Sequence, residues 1–226
     1  MQRTEPNAVA TAAPGRWLVL AIVSSALLLI VVDMTVLYTA LPRLTHELNV
    51  NASEKLWIVN IYALVVSGLL LGMGTLGDRL GHKRLFMAGL IVFGAASLCA
   101  AYSPGAATLI AARALLAVGA AMMMPATLSI LRLTFADERE RAIAIGVWAS
   151  VASGGAAVGP VVGAVLLEHF WWGSVFLINV PIVLLALPLA WRLIPASRPD
   201  ASRPWDLLGS LQVMAGLILC AYALKE

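Results

Sequence analysis

Two charged residues lie alone in long apolar stretches and are the first candidates for chemistry. Asp33 occurs in V-V-D-M-T-V and Arg113 in A-A-R-A-L-L. An acidic residue at the centre of a membrane helix costs about 2.5–3.5 kcal/mol on insertion scales, so it is retained where it binds or pairs. We expect Asp33 to accept a proton or a cationic substrate, with Arg113 tuning its proton affinity. The alternative is a buried ion pair that only holds two helices together.

Helix geometry places these two residues at a similar depth. Asp33 is 16 residues after Trp17, which lies at one predicted interface. This spacing corresponds to about 24 Å at 1.5 Å per residue. Arg113 is about seven residues, or about 10 Å, past the start of its predicted helix at the opposite interface. Both side chains are therefore predicted to lie in the outer half of the membrane.

A cluster of charges separates the second and third apolar stretches, in G-T-L-G-D-R-L-G-H-K-R. Gly77 and Gly81 are expected to bracket a tight reversal, since glycine tolerates positive φ. The Asp78 carboxylate would then cap a helix N-terminus or pair with an arginine, in a contact that rigid-body movement can break. The alternative is an ordinary charged loop. The candidate residues of this segment are Gly74, Asp78, Arg79, Gly81, Lys83 and Arg84.

Three glycines recur every fourth residue in G-G-A-A-V-G-P-V-V-G. Gly155, Gly159 and Gly163 would form a smooth stripe on one face of a helix, and such a stripe allows close approach of another backbone. Pro160 interrupts the hydrogen-bond ladder and is expected to bend this helix. Helix packing is by itself a sufficient interpretation of the stripe.

Polarizable and aromatic side chains in the apolar stretches are weaker candidates, for the lining of a substrate cavity. They suit flat organic cations, although most such residues in membrane helices pack against other helices or lipid. Asn179 stands out because, together with Pro181, it places polar and helix-breaking character within an apolar stretch. The candidates for lining are Met34, Tyr38, Tyr62, Met122, Met123, Met124, Trp148 and Asn179.

The elements that must position these residues are predicted to be membrane-spanning helices. Of the 226 residues, 61% are hydrophobic and 12% are charged, whereas soluble domains carry about 25% charged residues. Each apolar stretch is close to or above the ~20 residues that cross a hydrocarbon core as a helix. The alternation typical of a membrane barrel is absent from the sequence. The predicted spans are residues 17–40, 56–76, 85–103, 106–131, 141–167, 172–194 and 207–224.

The distribution of basic residues predicts the orientation of these helices. With a cytoplasmic N-terminus, eleven of the 15 Lys and Arg residues fall in cytoplasmic segments and three in outer segments, which obeys the positive-inside rule. Six of the seven Trp residues fall at span ends, as an interfacial belt requires. The net charge of +3 therefore reflects membrane topology and gives no reason to expect a nucleic-acid partner.

Four motifs in this order resemble those of the major facilitator superfamily, in particular its fourteen-helix drug:proton antiporters. They are V-V-D-M-T-V-L-Y-T-A-L-P, G-T-L-G-D-R-L-G-H-K-R, L-I-A-A-R-A-L-L-A-V-G and G-G-A-A-V-G-P-V-V-G. Nearly all of residues 17–226 resembles the opening half of quaternary-ammonium and methyl viologen efflux transporters. Leu116 departs from the pattern, because the family usually has a polar residue three positions after the arginine, and this argues against a proton relay at that turn.

The resemblance implies an all-α polytopic transmembrane bundle, a six-helix N-terminal half plus one further helix. Its expected parts are a cytoplasmic tail (1–16), the six-helix half (17–194), a cytoplasmic linker (195–206) and a seventh membrane helix (207–226), the first of an inserted pair. The resemblance also implies that the fifth-helix glycines lie where the two halves of an antiporter meet and limit leak. The expected location is the bacterial inner membrane.

The resemblance further implies proton-coupled export of lipophilic organic cations. The expected partners are the substrate, protons, the bilayer, and a missing C-terminal half or second chain; the proton gradient replaces any cofactor. Without a second half, the 226 residues are expected to insert but not to catalyse coupled transport. The alternatives are a non-transporting scaffold or receptor and an uptake carrier. Enzyme activity and a metal site are not expected, since G-x-S-x-G, H-E-x-x-H and a phosphate-binding glycine loop are absent from the sequence.

Overall fold

The computed structural model describes residues 15–196, 199–200 and 207–223, and no strand occurs among them. The helices of this part of the chain are α1 (Arg16–Glu47), α2 (Ala52–Leu80), α3 (His82–Ala101), α4 (Ala106–Thr134), α5 (Glu138–His169), α6 (Ser174–Leu177), α7 (Asn179–Leu193) and α8 (Leu207–Ala223). The prediction of an all-α bundle is confirmed. The predicted tail up to residue 14, most of the predicted linker and residues 224–226 lie outside the described residues.

Within the described residues, six segments are long and apolar enough to cross a membrane: α1 to α5, and Ser174–Leu193, which contains α6 and α7. Their lengths of 20 to 32 residues correspond to about 30–48 Å of helix, enough for a hydrocarbon core of about 30 Å. The chain is therefore an integral membrane protein. α8 is also apolar and has 17 residues, so its role as a seventh span stays a prediction.

Helix α4 packs along both α2 and α3, while α1 packs mainly against α5. α7 contacts α1 and α3, and α8 lies along α2. The close contact of α3 with α4 depends on glycine: a Cβ on Gly119 would lie 2.8 Å from the backbone nitrogen of Phe93. A Cβ on Gly89 would lie 3.0 Å from the Gly119 carbonyl oxygen. Small residues serve this purpose because helices in lipid associate through close packing.

The turn between α2 and α3 is shorter than predicted. α2 continues through Leu80, and only Gly81, with φ 96°, leaves the helical conformation before α3 begins at His82. Gly81 makes the reversal as predicted. The prediction that Gly77 brackets it is wrong, because Gly77 is buried inside α2. A Cβ on Gly77 would lie 2.6 Å from His82 Nδ1, so its absence makes room for the first turn of α3.

Side chains cap the starts of α2 and α5. The Asn51 side chain accepts a hydrogen bond from the Glu54 N–H, and the Glu54 carboxylate accepts one from the Asn51 N–H, each 2.9 Å long. This capping box fixes the start of α2. At the start of α5, Asp137 accepts a 2.9 Å hydrogen bond from the Glu140 N–H. Both helices therefore begin at a defined residue, which sets the register of the side chains further along them.

Candidate functional site

The candidate site is a buried ion pair between α1 and α4. Arg113 Nη1 donates a hydrogen bond of 2.9 Å to Asp33 Oδ2. Asp33 is 0% exposed and Arg113 is 1% exposed. The direct contact agrees with the similar depth predicted for the two residues. Because neither charge reaches water, each depends on its protein partners for stabilisation.

Helix α2 supplies further contacts to the Arg113 guanidinium. Arg113 Nε donates a 3.3 Å hydrogen bond to the Ile58 carbonyl oxygen. Its central carbon lies 4.8 Å from the centre of the Tyr62 ring, a distance typical of a cation–π interaction. The planar guanidinium is therefore oriented by a carboxylate, a carbonyl and an aromatic face. Lysine has neither the planar group nor the five donors that this arrangement uses.

Asn179 contacts the second oxygen of the Asp33 carboxylate. Its amide nitrogen donates to Asp33 Oδ1 at 3.3 Å and to Ser97 Oγ at 3.2 Å. Asn179 is the first residue of α7, and Ile178 before it keeps helical dihedral angles (φ −58°, ψ −25°). The polar character predicted for this span therefore coincides with the position where an amide reaches the ion pair. Helices α1, α2, α3, α4 and α7 meet in one polar network.

Sequence reasoning missed two members of this network, Ser97 and the Ile58 carbonyl. Ser97 is 0% exposed in the middle of α3. A lone hydroxyl in an apolar helix was the available signal, but serine is common in membrane helices because it can hydrogen-bond to its own backbone. A main-chain carbonyl has no sequence signal at all.

Six buried side-chain polar atoms have no hydrogen-bond partner among the described residues, and three of them belong to predicted lining residues: the Tyr62 hydroxyl, Trp148 Nε1 and Asn179 Oδ1. The other three are Ser24 Oγ, His82 Nδ1 and Ser174 Oγ. A buried polar atom left unpaired costs about 1–3 kcal/mol, so each is a candidate to contact a ligand or water. A cavity of about 120 Å³ lies beside Asn179, between α1, α5 and α7, and its other walls are apolar. The site thus combines a carboxylate network with nearby apolar space.

The other predicted lining residues do not surround one cavity. Met34 and Tyr38 are 39% and 62% exposed on α1, whereas Met123 is 0% exposed in the core. Trp148, on α5, is half-buried. Successive residues of a helix point about 100° apart, so Met34 faces away from the network although it follows Asp33 directly.

The glycine stripe of α5 faces α1. Gly155, Gly159 and Gly163 are buried, and a Cβ on Gly159 would overlap the Thr35 side chain. A Cβ at either of the other two positions would meet α1 side chains at 2.8–3.0 Å. Pro160, beside Gly159, is exposed. The stripe therefore serves the packing of two helices of this chain, and its contact with a second half stays a prediction.

The charged residues of the α2–α3 turn occupy different surroundings. Asp78 Oδ1 lies 3.2 Å from His82 Nε2, and the Asp78 carbonyl accepts a 3.1 Å hydrogen bond from the Asp200 N–H. Arg79 and Arg84 are exposed. The histidine, which sequence reasoning did not use, is thus within hydrogen-bonding distance of Asp78. The predicted lock of Asp78 with the two arginines stays a prediction.

The remaining residues of this motif contact other helices. Lys83 Nζ donates a 2.7 Å hydrogen bond to the Trp191 carbonyl near the end of α7. Gly74 faces α4, where a Cβ would lie 3.8 Å from Pro125. The motif therefore joins α2 and α3 to both α4 and α7.

Two arginines join the ends of α1 to α5, and sequence reasoning predicted neither contact. Arg16 Nη1 and Glu140 Oε2 form an ion pair of 2.5 Å at one end. At the other end, Arg43 Nη1 donates to the carbonyls of Leu167 at 2.7 Å and Phe170 at 3.1 Å. Carbonyls in the last turn of a helix have no intrahelical partner, so a cation there is favourable. With the glycine stripe between them, these contacts hold α1 and α5 together along their length.

Comparison with known proteins identifies the class. Residues 23–223 match the Major Facilitator Superfamily, and the chain belongs to this superfamily of transporters. It is 49% identical over 210 residues to the methyl viologen resistance protein SmvA of Salmonella typhimurium, covering 93% of this chain and 42% of that protein. It is 45% identical over 216 residues to the multidrug efflux pump LfrA of Mycolicibacterium smegmatis, covering 95% of this chain and 43% of that protein. The resemblance inferred from the motifs is confirmed.

A solved structure supports the same fold. The crystal structure of the peptide transporter POT in complex with sulfate superimposes with a TM-score of 0.72 at 20% identity, covering 94% of this chain and 46% of that chain. At this identity the likeness concerns the fold alone. The chain spans less than half the length of the relatives that it matches.

Proposed function

We propose that these residues form the N-terminal half of a proton-coupled exporter of lipophilic organic cations. Membership of a transporter superfamily supports transport as the activity. Relatives named for methyl viologen resistance and multidrug efflux support the export of organic cations. Methyl viologen is a flat aromatic dication, and a cation of this kind suits a site that offers a carboxylate beside aromatic and apolar surface.

The observation that carries the proposal is the buried contact of Asp33 with Arg113 and Asn179. A carboxylate away from water cannot hold a proton and an organic cation together at low cost, so binding of one displaces the other. Exchange also requires that Arg113 be stabilised when Asp33 is occupied. The Ile58 carbonyl and the Tyr62 ring supply such contacts. The network therefore supports exchange of a proton for a cation at Asp33.

The excess of basic residues on one side supports a cytoplasmic N-terminus and a cytoplasmic α2–α3 turn. In this orientation, the proposed role of Asp78, Arg79 and Arg84 is a lock that is made in one access state and lost in the other. The greater length of SmvA and LfrA supports a second six-helix half, on the same chain or another. The proton gradient would be the only energy source.

Efflux of ethidium from energised bacterial cells tests the proposal. The cells express the chain continued by the second half of SmvA, and efflux is recorded with and without a protonophore. We expect the protonophore to stop efflux and Asp33→Asn to reduce it at least tenfold at normal membrane expression. Glu140→Gln is the matched control, because Glu140 is a partly exposed carboxylate that also pairs with an arginine, and it should retain efflux.

Each other result contradicts a distinct element of the proposal. Efflux that ignores the protonophore would remove proton coupling. An Asp33→Asn variant that transports like the parent would leave the ion pair as a purely structural contact. Accumulation of the dye in place of its loss would identify an uptake carrier. Correct insertion with no cation movement in any variant would favour a scaffold or receptor.

A further inference from the structure

A second candidate binding site lies away from the Asp33 network, at the end of the bundle where α3 begins and α7 ends. A cleft of about 390 Å³ opens there. Its lining is chiefly Gly81, Lys83, Arg84, Met87, Trp191 and Pro199. The cleft therefore combines two cations with an indole ring and a thioether, and among the described residues that line it none is acidic.

The two cations are placed to contact one anion. Lys83 Nζ is fixed at the wall of the cleft by its 2.7 Å hydrogen bond to the Trp191 carbonyl. An ammonium has three N–H donors, so two remain for a ligand. Arg84 follows on α3, is exposed and carries five further donors in a planar fork that suits phosphate oxygens. The nearby Asp78 is not among the residues that line the cleft, and its Oδ1 lies 3.2 Å from His82 Nε2.

The two cations are the groups that make the cleft attractive to an anion. The first turn of α3 contains no acidic residue that would offset them. α2 ends at Leu80, one residue before Gly81, so the partial negative charge of its C-terminus offsets the partial positive charge at the start of α3. Lys83 and Arg84 therefore supply the positive charge of the cleft.

An apolar stripe runs along α3 from the cleft. Ile91 and Leu98 follow Arg84 by seven and fourteen residues, so all three lie on one face of the helix. The two apolar side chains are 55% and 42% exposed. The stripe is about 21 Å long, which exceeds the ~15 Å depth of one leaflet's hydrocarbon layer. Trp191, 64% exposed, lies at the cleft as an interfacial residue does.

We propose that this cleft binds the phosphate of an anionic phospholipid. Lys83 and Arg84 contact the phosphate oxygens, Trp191 lies at the level of the headgroup, and an acyl chain follows Ile91 and Leu98 along α3. Basic pockets at the ends of membrane helices attract anionic headgroups in this way. The apolar stripe decides between a lipid and free phosphate, because a soluble anion would make no use of it. The inference does not depend on the exchange proposed at Asp33.

Native mass spectrometry of the purified chain tests the proposal. The chain is released from micelles that contain equal amounts of dioleoyl phosphatidylglycerol and dioleoyl phosphatidylcholine. We expect one phosphatidylglycerol molecule to be retained preferentially. The double variant Lys83→Gln/Arg84→Gln should weaken this binding on the order of tenfold, since each cation contributes several-fold at a membrane surface.

The matched control is Arg132→Gln/Arg139→Gln, which removes the same charge from two exposed arginines outside the cleft. It should retain phosphatidylglycerol within about twofold of the parent, because neither arginine contacts the proposed headgroup position. Circular dichroism checks that each variant keeps the parent's helix content. If the control loses as much lipid as the cleft variant, or if the parent retains both lipids equally, the site is not a specific headgroup site.

A second pair of measurements separates lipid from free phosphate. Excess inorganic phosphate is added to the micelles, and Ile91→Ser/Leu98→Ser is compared with the parent. We expect phosphate not to displace the lipid, and the serine variant to weaken phosphatidylglycerol retention although both cations are present. Displacement by inorganic phosphate together with full retention by the serine variant would make this a soluble-anion site and overturn the lipid assignment.

Discussion

The buried ion pair and the α2–α3 turn contain similar charged groups in opposite surroundings. Asp33 and Arg113 are 0% and 1% exposed, and five helices meet around them. At the turn, the Asp78 side chain is 35% exposed and lies 3.2 Å from the His82 ring, four residues on and across the Gly81 reversal. Neighbouring arginines at the turn, Arg79 and Arg84, are exposed. Burial, more than the type of residue, distinguishes the two regions.

This difference determines what each contact can do. A buried charge that loses its partner has no water to replace it, so only a proton, a cation or another protein group can take the partner's place. A surface pair that opens is solvated at once, and its net contribution is about 0–1 kcal/mol. The first region is therefore suited to exchange between ligands, and the second to a contact that conformational change can make and break.

The largest effect is expected for Arg113→Leu. Removal of one partner leaves the Asp33 carboxylate buried without its cation, which costs about 3–5 kcal/mol in comparable buried pairs. Detergent-induced unfolding of the purified chain, followed by circular dichroism, measures the loss. Arg132→Leu, which removes an exposed arginine near the end of α4, should change the unfolding free energy by less than about 0.5 kcal/mol.

The double variant Asp33→Leu/Arg113→Leu sharpens this result. It removes both charges, so we expect it to recover most of the stability that the single variant loses. Equal unfolding free energies for Arg113→Leu and its control would mean that water reaches the pair, and the contrast between the two regions would fail.

An intermediate effect is expected from Gly159→Ala in α5, on the face of that helix that packs against α1. The new Cβ would overlap the Thr35 side chain, whose hydroxyl already donates to the Val31 carbonyl at 3.0 Å. Overpacking of this kind costs about 1–3 kcal/mol. Gly154→Ala is the matched control, because a Cβ there meets no other atom within 4 Å. Gly154→Ala should be neutral or slightly stabilising, because alanine favours a helix more than glycine does. A loss of equal size in both variants, in the same unfolding assay, would show that the α1–α5 contact is not its cause.

A smaller effect is expected from Glu140→Gln. The Arg16–Glu140 pair joins α1 to α5, but its side chains are 25% and 30% exposed. We expect a loss of about 0.2–1 kcal/mol that disappears at high salt, since exposed pairs are screened. Unfolding of the variant and the parent is compared at low and high ionic strength. A loss of unfolding free energy that is unchanged by salt would show that the Arg16–Glu140 pair is shielded from solvent, as the Asp33–Arg113 pair is.

The smallest effect on stability is expected from Asp78→Asn. The contact of Asp78 with His82 is partly exposed, and the histidine is charged only when protonated, so we expect a contribution of at most about 0.5 kcal/mol. The same change should nevertheless reduce turnover of ethidium export in the chain continued by a second half, while the apparent affinity for the dye stays unchanged. Initial rates of efflux, measured over a range of dye concentrations, separate turnover from the apparent affinity for the dye. Normal turnover with weakened affinity would assign Asp78 to substrate binding in place of the lock.

The predictable part of the site consists of residues whose type is costly in a membrane. Asp33 and Arg113 are recognisable from isolation in apolar sequence, and Asn179 from its position beside a helix-breaking proline. The sequence does not show whether Met34, Tyr38 and Met123 line a cavity, because methionine and tyrosine are tolerated on every face of a membrane helix. Their positions depend on helix rotation, which left Met34 exposed and Met123 buried.

The sequence by itself determined the helical spans, the membrane location and the superfamily, because apolar length and the order of motifs are properties of the chain alone. It also determined which residues needed a buried partner, since the cost of burying a charge or an amide depends on the residue type. Only the tertiary structure decided which partners they found: Ile58 and Ser97 at the network, and His82 for Asp78. Partners are chosen by the rotation and spacing of packed helices, and these are set by contacts between segments far apart in the chain, such as the α5 glycines against α1.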